Sequence, residues 1–262
     1  MKRPAMICSC LAAALAVAAP AASAARRGAA TPPPRDALGA IACHQAIDPL
    51  QRDVSVQATM RNVLGTQTLQ IRFSLSLTAS GATAPVVAGG LGQWLTPSDP
   101  TLGQRPGDIW KLSKAVYNLG GGSYQFSVAF RWLGANGKVL KTAALESSSC
   151  TIKELRPDLT VRSVKVRSIT GVPTGDRYLA TVVNQGGSPS GPFALLFDPG
   201  GTGASSQTKP VKSLSPGQSA TVRFTGPACD AASPPTVVAD PTGAVDESDR
   251  SNNALTVTCP AA

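Results

Sequence analysis

Histidine is almost absent from this chain of 262 residues, which contains a single one, His44. The sequence also lacks a Gly-x-Ser-x-Gly nucleophile elbow, so a Ser-His-Asp hydrolase has little support. No Cys-x-x-Cys spacing occurs, which disfavours a zinc site. Charged residues make up only 15% and hydrophobic residues 42%, a globular composition. The sequence therefore predicts a folded protein that is not an enzyme and needs no cofactor.

Long apolar runs are confined to the first residues of the chain. Lys2 and Arg3 precede an apolar stretch at residues 6–19, and a small-x-small cleavage motif ends at Ala24. This arrangement is typical of a secretory signal peptide, so we predict that residues 1–24 are removed. Because no later stretch is long enough to cross a bilayer, we expect a secreted protein, extracellular or associated with the cell surface, that does not span a membrane.

Export also gives the cysteines a role. Two of the 6 cysteines fall in the signal peptide, and an even number remains. In an exported chain this predicts disulfides. Four cysteines allow three pairings, and we predict the pairing that keeps each bond inside one proposed module: Cys43–Cys150 and Cys229–Cys259.

Abundant glycine (25) and proline (22), with recurring Thr, Val and Ser, favour short strands joined by tight turns. Residues 25–40, rich in Pro, Ala and Arg, have no apolar period and are predicted to form a solvated linker.

Apolar residues then alternate along 69–77 and 124–132, which indicates strands with one buried face. The segment Leu119–Tyr124 resembles the tyrosine corner of some β-sandwiches. The alternative is a simple glycine turn before an aromatic strand. We therefore predict an immunoglobulin-like β-sandwich over residues 41–155.

Strand and turn signals also follow one another through the rest of the chain. They are the lead-in Leu155-Arg156-Pro157-Asp158, a strand ending in Asn184-Gln185-Gly186, a strand over 190–197, the turn Leu214-Ser215-Pro216-Gly217, and the loop from Asp240 to Asn253. In this order they resemble CARDB, a cell adhesion related domain found in bacteria. The resemblance implies a second immunoglobulin-like β-sandwich over residues 156–262. The predicted fold is thus all-β, with two tandem sandwiches after a cleaved signal peptide.

An acidic loop in this second module is a weak candidate for a calcium site. Carboxylate oxygens are the hard ligands that calcium prefers, and the loop offers Asp240, Asp246, Glu247 and Asp249. Their spacing matches no EF-hand loop. Short polar side chains also hold tight turns by bonding nearby backbone groups. We therefore predict a structural loop without metal, in which Asn252 and Asn253 make such bonds.

Charge is distributed unevenly along the chain. The formal net charge is +9; residues 43–156 carry 11 Lys+Arg against 6 Asp+Glu, whereas residues 157–262 carry 8 of each. A basic first module at a cell surface would suit acidic polysaccharides, although the charge also serves solubility. Nucleic acid is not an expected partner, since export removes the usual target.

Two tryptophans border a proline-containing stretch in the first module. Exposed tryptophans stack on sugars or bury in protein partners, so Trp94 and Trp110 are candidate ligand contacts. Alternatively, each folds back onto the core of its own domain. An exposed coplanar pair would favour carbohydrate binding, and a buried pair would favour a structural role.

Together these features predict a secreted bacterial, non-catalytic protein of the binding or adhesion type, with a surface protein or polysaccharide as its partner. Two alternatives remain open: a carbohydrate-binding accessory module of an extracellular enzyme system, and a purely structural spacer.

Overall fold

A computed structural model describes residues 32–169, 175–201 and 204–260. The predicted signal peptide and most of the predicted linker lie outside these residues. The described residues from position 34 onward belong to one compact unit. The described residues are 50% strand and 3% helix, so the predicted all-β class is confirmed.

Two antiparallel sheets form from the first half of the described chain. Its strands are β1 (Asp36–Leu38), β2 (Ala42–His44), β3 (Asp53–Arg61), β4 (Thr68–Ala79), β5 (Ala82–Pro85), β6 (Ile109–Tyr117), β7 (Gly122–Leu133), β8 (Val139–Glu146) and β9 (Cys150–Ile152). β3 pairs with β1, β2 and β6 in one sheet, and the order β5-β4-β7-β8 forms the other, with β9 also on β7. Two short 3-10 helices, Pro49–Gln51 and Ala135–Gly137, complete this half, called here the first sandwich.

Alternation of apolar residues builds the first core as predicted. In β4 the buried side chains occupy every second position from Leu69 to Leu75, and in β7 they do so from Tyr124 to Trp132. The Tyr124 hydroxyl donates a hydrogen bond to the Gly120 carbonyl (2.9 Å), which confirms the tyrosine corner. The hairpin between β7 and β8 turns at Asn136, whose φ of 55° lies in the left-handed region that asparagine tolerates.

The second half of the chain also forms two antiparallel sheets. Its strands are β10 (Leu159–Ser168), β11 (Gly175–Asn184), β12 (Phe193–Asp198), β13 (Gln207–Val211), β14 (Ser219–Pro227), β15 (Thr236–Ala239) and β16 (Ala254–Thr256). The sheet orders are β10-β11-β14 and β13-β12-β15-β16. Three aromatic rings join the two sheets at the core, with centroid separations of 4.6 Å for Tyr178–Phe197 and 5.3 Å for Phe197–Phe224. This half is called the second sandwich.

Both predicted disulfides are confirmed. Cys43–Cys150 joins β2 to β9, and Cys229–Cys259 closes the end of the chain, with Cα separations of 6.2 Å and 5.4 Å. The bonded cysteines are separated by 107 and 30 positions in the sequence. In the chain-entropy model such closures contribute about 4.5–5 and about 3.5 kcal/mol.

The linker prediction is wrong at its C-terminal end. Asp36–Leu38 is not solvated coil but strand β1, which pairs with Ala58–Met60 of β3. Leu38 packs, partly buried, against the first core. The apolar pair Ala37-Leu38 is enough for an edge strand once β3 offers unpaired backbone groups, and a three-residue segment shows no period that sequence inspection can detect.

Two hydrophobic cores exist, and they share no residue. The first draws its buried members from residues 54–152 and the second from residues 159–257. The intervening residues, 153–158, are called the junction here. The domain boundary between residues 155 and 156 falls within the junction and stays a prediction.

Candidate functional surfaces

Trp110 is not a surface residue, which corrects its selection as a ligand contact. It is the second residue of β6, 7% exposed, and belongs to the first core. β6 runs beside β3 over its full length, and Trp110 is paired with the fully buried Met60. The sequence analysis placed Trp110 at the end of a loop, whereas the strand already begins at Ile109 and its second position faces inward.

Trp94, in contrast, lies half-buried on the first sandwich. Its neighbour Leu95 forms a bridge with Ile71, which holds this segment against the edge of β4. The guanidinium carbons of Arg72 and Arg131 lie 4.8 Å and 4.2 Å from the centre of the Trp94 ring. Cations at this distance from an aromatic ring are attracted by its quadrupole. The three side chains therefore form one surface, called here the Trp94 surface.

A glutamine orients one of the two cations. The Gln70 side-chain oxygen accepts hydrogen bonds from Nε and one terminal nitrogen of Arg131, at 2.8 Å and 2.5 Å. Gln70 and Arg131 are direct cross-strand partners of β4 and β7. Since Arg131 has further N–H groups, the Trp94 surface combines an aromatic ring with hydrogen-bond donors for a ligand.

The acidic loop uses its two buried carboxylates for structure. Asp240 accepts hydrogen bonds from the backbone N–H groups of Ala244 (3.0 Å) and Val245 (2.9 Å). Glu247 accepts from the Leu159 N–H (2.8 Å) and from the Asn253 side-chain amide (2.6 Å). Burial raises the pKa of Glu247, even though both bonds favour its ionised form. These bonds fix the start of β10 to the loop.

The other two carboxylates of the calcium candidate point elsewhere. Asp249 accepts from the N–H and hydroxyl of Ser251, whereas Asp246 is largely exposed and pairs with Arg156 (3.3 Å). Arg250 lies 3.4 Å from Asp240 and 3.8 Å from Glu247, where it balances the buried acids. Within the described ranges, no three His, Cys, Asp or Glu side chains are placed to hold a metal ion.

The two asparagines of this loop have different roles. Asn253 donates to Glu247 and to the Ala239 carbonyl (3.3 Å), so it does bond the backbone. Asn252 instead donates to the carboxylate of Asp158 (2.9 Å), a side chain 94 positions away. The prediction for Asn252 was therefore wrong in its partner, because a local turn pattern does not reveal a contact with the distant junction.

Glu154 fastens the junction to the first sandwich. Its carboxylate accepts two hydrogen bonds from the guanidinium of Arg52, at 2.8 Å and 3.1 Å. Arg52 is 0% exposed, and it also donates to the carbonyls of Ala46 and Ile47. The bonds from Arg52, reinforced by those from Arg156, hold the pKa of Glu154 well below its usual range. A buried guanidinium thus depends on this one carboxylate.

The same junction is fastened to the second sandwich. Arg156 bonds Glu154 on one side and Asp246 on the other. The Gly187 N–H donates to the Arg156 carbonyl (3.1 Å), and the Gln185 N–H donates to the Asp158 carbonyl (2.7 Å). A Cβ on Gly186 would overlap the backbone of residues 156–158, so this close approach requires glycine.

His44 stands at an exposed strand end of the first sandwich. Its Nδ1 lies 2.8 Å from the Gln51 carbonyl and 3.4 Å from the Asp53 carboxylate. Gln51 ends the 3-10 helix between β2 and β3, and Asp53 is the cross-strand partner of His44 at the start of β3. These contacts give His44 a role in closing the strand end.

The fold and these surfaces define a class: an all-β protein of two sandwiches, stabilised by two disulfides. Residues 156–257 match the family model described as CARDB. This part of the chain is therefore a CARDB domain, as the sequence motifs predicted. No curated protein sequence matches the chain.

Three solved structures resemble the chain weakly. A transglutaminase of red sea bream is 14% identical, with a TM-score of 0.29, and the match covers 87% of this chain and 32% of that one. A chaperone–tip adhesin complex of CFA/I fimbriae is 11% identical, with a TM-score of 0.23 and coverages of 85% and 100%. Native alpha-2-macroglobulin from Escherichia coli is 12% identical, with a TM-score of 0.21 and coverages of 86% and 71%. The chain spans about a third of the transglutaminase. Over the part of the chain that the structure describes, no helix has the length and apolar character to cross a membrane.

Glu154→Gln should weaken the protein most at neutral pH. Because the folded-state pKa lies below the ordinary value of 4.5, ionised Glu154 contributes stability above that pH and loses it as the pH falls through the folded-state pKa. Leaving Arg52 without its anion should reduce the free energy of unfolding by about 3 kcal/mol at pH 7. Denaturant titrations at pH 7, 4 and 3 should show this difference shrinking with acid. Glu146→Gln is the control, because Glu146 is an exposed carboxylate at the end of β8 that forms no ion pair within the described residues. A constant difference for Glu154→Gln would refute the assignment.

Asn253→Ala should destabilise the second sandwich by about 1–3 kcal/mol, since Glu247 and the Ala239 carbonyl lose a buried donor. The loss should be equal in millimolar calcium and in chelator. Thermal melts of the native protein should likewise not respond to calcium. A calcium-dependent rise of several degrees that Asp249→Asn abolishes would show that the loop binds the ion.

Proposed function

We propose that this protein is an exported, non-catalytic binding protein of the adhesion type, which acts at or outside the cell surface. The CARDB domain and the two disulfides support an extracellular setting, because disulfides persist in oxidising compartments. The observation that carries the proposal is the Trp94 surface, where a half-buried tryptophan lies beside two arginines on a rigid sheet.

The chemistry of the Trp94 surface suits recognition. Tryptophan and arginine are the residue types that most often dominate binding energy at interfaces. The ring supplies apolar contact area, and guanidinium groups bind carboxylates or hydroxyl oxygens in a fixed geometry. A surface protein or a polysaccharide therefore fits as a partner, and the accessory carbohydrate-binding alternative uses the same surface.

The non-catalytic part of the proposal is supported by the roles that the acidic and histidine side chains already have. Asp240 and Glu247 hold the loop against β10, Glu154 holds the junction, and His44 closes a strand end. A general acid or base needs a titrating group aimed at substrate. These groups are aimed at the protein's own backbone and cations.

A structural spacer is the second candidate, and the junction favours it. Glu154, Arg156 and Gly186 fix the connecting segment to both sandwiches, as a spacer that must hold its ends at a set distance requires. The buried position of Trp110 agrees with this role. The two functions differ in whether the Trp94 surface contributes to binding.

Trp94→Ala should reduce binding of the mature protein to bacterial cells or insoluble envelope by about tenfold or more, as for an interface anchor. Pull-down assays measure the binding to cells or envelope, and a glycan array measures binding to individual polysaccharides. Tyr117→Ala is the matched control, because Tyr117 is a 63% exposed aromatic on the other sheet of the same sandwich. Equal binding by native protein and Trp94→Ala, with both folded by circular dichroism, would favour the spacer.

A further inference from the structure

Four cations lie on the outer side of the sheet β10-β11-β14. They are called the cationic face here: Lys165, Arg167, Arg177 and Arg223. Their neighbours along each strand, among them Val166, Tyr178 and Phe224, pack into the second core. Because successive side chains of a strand point to opposite sides, the four cations point outward.

The strand register places the cations in two adjacent rows. One row is Lys165, Leu179 and Arg223, and the next is Arg167, Arg177 and Thr225. Neighbouring strands are about 5 Å apart and rows on one side of a sheet about 7 Å apart, so the charges form a compact patch. Lys165, Arg167 and Arg223 are exposed, and Arg177 is half-buried.

No acid neutralises this patch. The one carboxylate of β10, β11 and β14 is Asp176, which is 7% exposed and accepts from the Cys229 N–H (2.8 Å). In the described residues none of the four cations forms an ion pair, whereas Arg52, Arg156 and Arg250 all do. The residues outside the described ranges include no Asp or Glu. Residues 157–262 are thus neutral in sum, although four of their 8 Lys+Arg lie together on this face.

The arrangement is unfavourable without a ligand. Arg167 of β10 and Arg177 of β11 are direct partners on neighbouring strands. Like charges in that position destabilise a sheet. The Nε of Arg177 is buried and has no hydrogen-bond partner in the described residues. An unmet buried donor also destabilises the fold. An anion on this face would relieve the repulsion between the two guanidinium groups.

We propose that the cationic face of the CARDB domain binds an acidic polysaccharide through its carboxylate groups. Guanidinium groups bind carboxylates bidentately, and a polymer with repeated charges meets several cations at once. Hydroxyl side chains stand among them, including Thr225 and the hydrogen-bonded pair Thr181 and Thr221 (3.0 Å), which suit sugar hydroxyls. The proposal rests on the proposed function for its extracellular setting and names a ligand class, but it uses other residues than Trp94.

Two other polyanions fit this face less well. Single-stranded nucleic acids need aromatic side chains for stacking, and the aromatics of these strands, Tyr178 and Phe224, are fully buried. An anionic membrane surface is usually bound with apolar side chains that enter the interface. The large apolar side chains that are exposed among the described residues all lie between positions 47 and 140, in the first sandwich.

The test uses the mature full-length protein and polygalacturonate as the probe. Arg167→Gln, Arg177→Gln and Arg223→Gln together should weaken binding about tenfold or more, and added salt should weaken the native complex. The matched control removes three exposed cations of the first sandwich: Arg105→Gln, Lys111→Gln and Lys138→Gln. It should bind within about twofold of the native protein, since none of these three side chains belongs to the cationic face.

The exposed single variant Arg167→Gln guards against misfolding of the triple variant. It should bind polygalacturonate less tightly, yet its melting temperature without polymer should be unchanged or higher, because a like-charge pair is removed. Equal losses in the face and control variants, native-like binding by the face variant, or tighter binding to DNA or anionic vesicles than to polygalacturonate would overturn the proposal. Trp94→Ala should keep polygalacturonate binding even where envelope binding fails, so the two proposals fail separately.

Discussion

The ion pair between Arg52 and Glu154 is the contact on which the arrangement of the two sandwiches depends. Arg52 is fully buried beneath the loop before β3, and Glu154 supplies its counter-charge. A buried charge without its partner is strongly destabilising. The chain at Glu154 therefore cannot leave the first sandwich without exposing or orphaning Arg52. Arg156 then carries the constraint to Asp246 of the CARDB domain.

This constraint gives the surface proposals a common setting. The Trp94 surface belongs to the first sandwich and the cationic face to the second, and both lie on the sheets themselves. A junction fastened at both ends keeps two such surfaces in a fixed relation. When two surfaces contact one polymer or one cell surface, the second contact becomes intramolecular and the total affinity rises. A rigid junction would thus serve binding as well as spacing.

Residues that follow local rules were predictable from the sequence. Period-two alternation identified β4 and β7, and one glycine-rich segment indicated the Tyr124 corner. Placing each disulfide inside one module gave the correct pairing. These features depend on neighbours in sequence, or on a small number of alternatives, so a pattern is sufficient to find them.

Features set by distant contacts were not predictable in the same way. Arg52 and Glu154 are 102 positions apart, and neither is marked by a motif. Trp110 was misplaced because it was assigned to the proline-containing loop, although Pro106-Gly107 ends that loop before β6 begins at Ile109. β1 was missed because three residues show no period. The cationic face did have a signal, since Lys165 and Arg167 alternate with Val164 and Val166. The alternation shows that the cations of β10 share one side of the strand, and the strand register adds those of β11 and β14.

The rotational diffusion of the intact protein tests the central claim about the junction most directly. Amide ¹⁵N relaxation reports the tumbling of each sandwich separately. If the Glu154 contacts hold the junction to both sandwiches, one diffusion tensor should fit the amides of residues 36–152 and 159–256 together. Two independent tensors in the unaltered protein, each fitting one sandwich, would contradict the account.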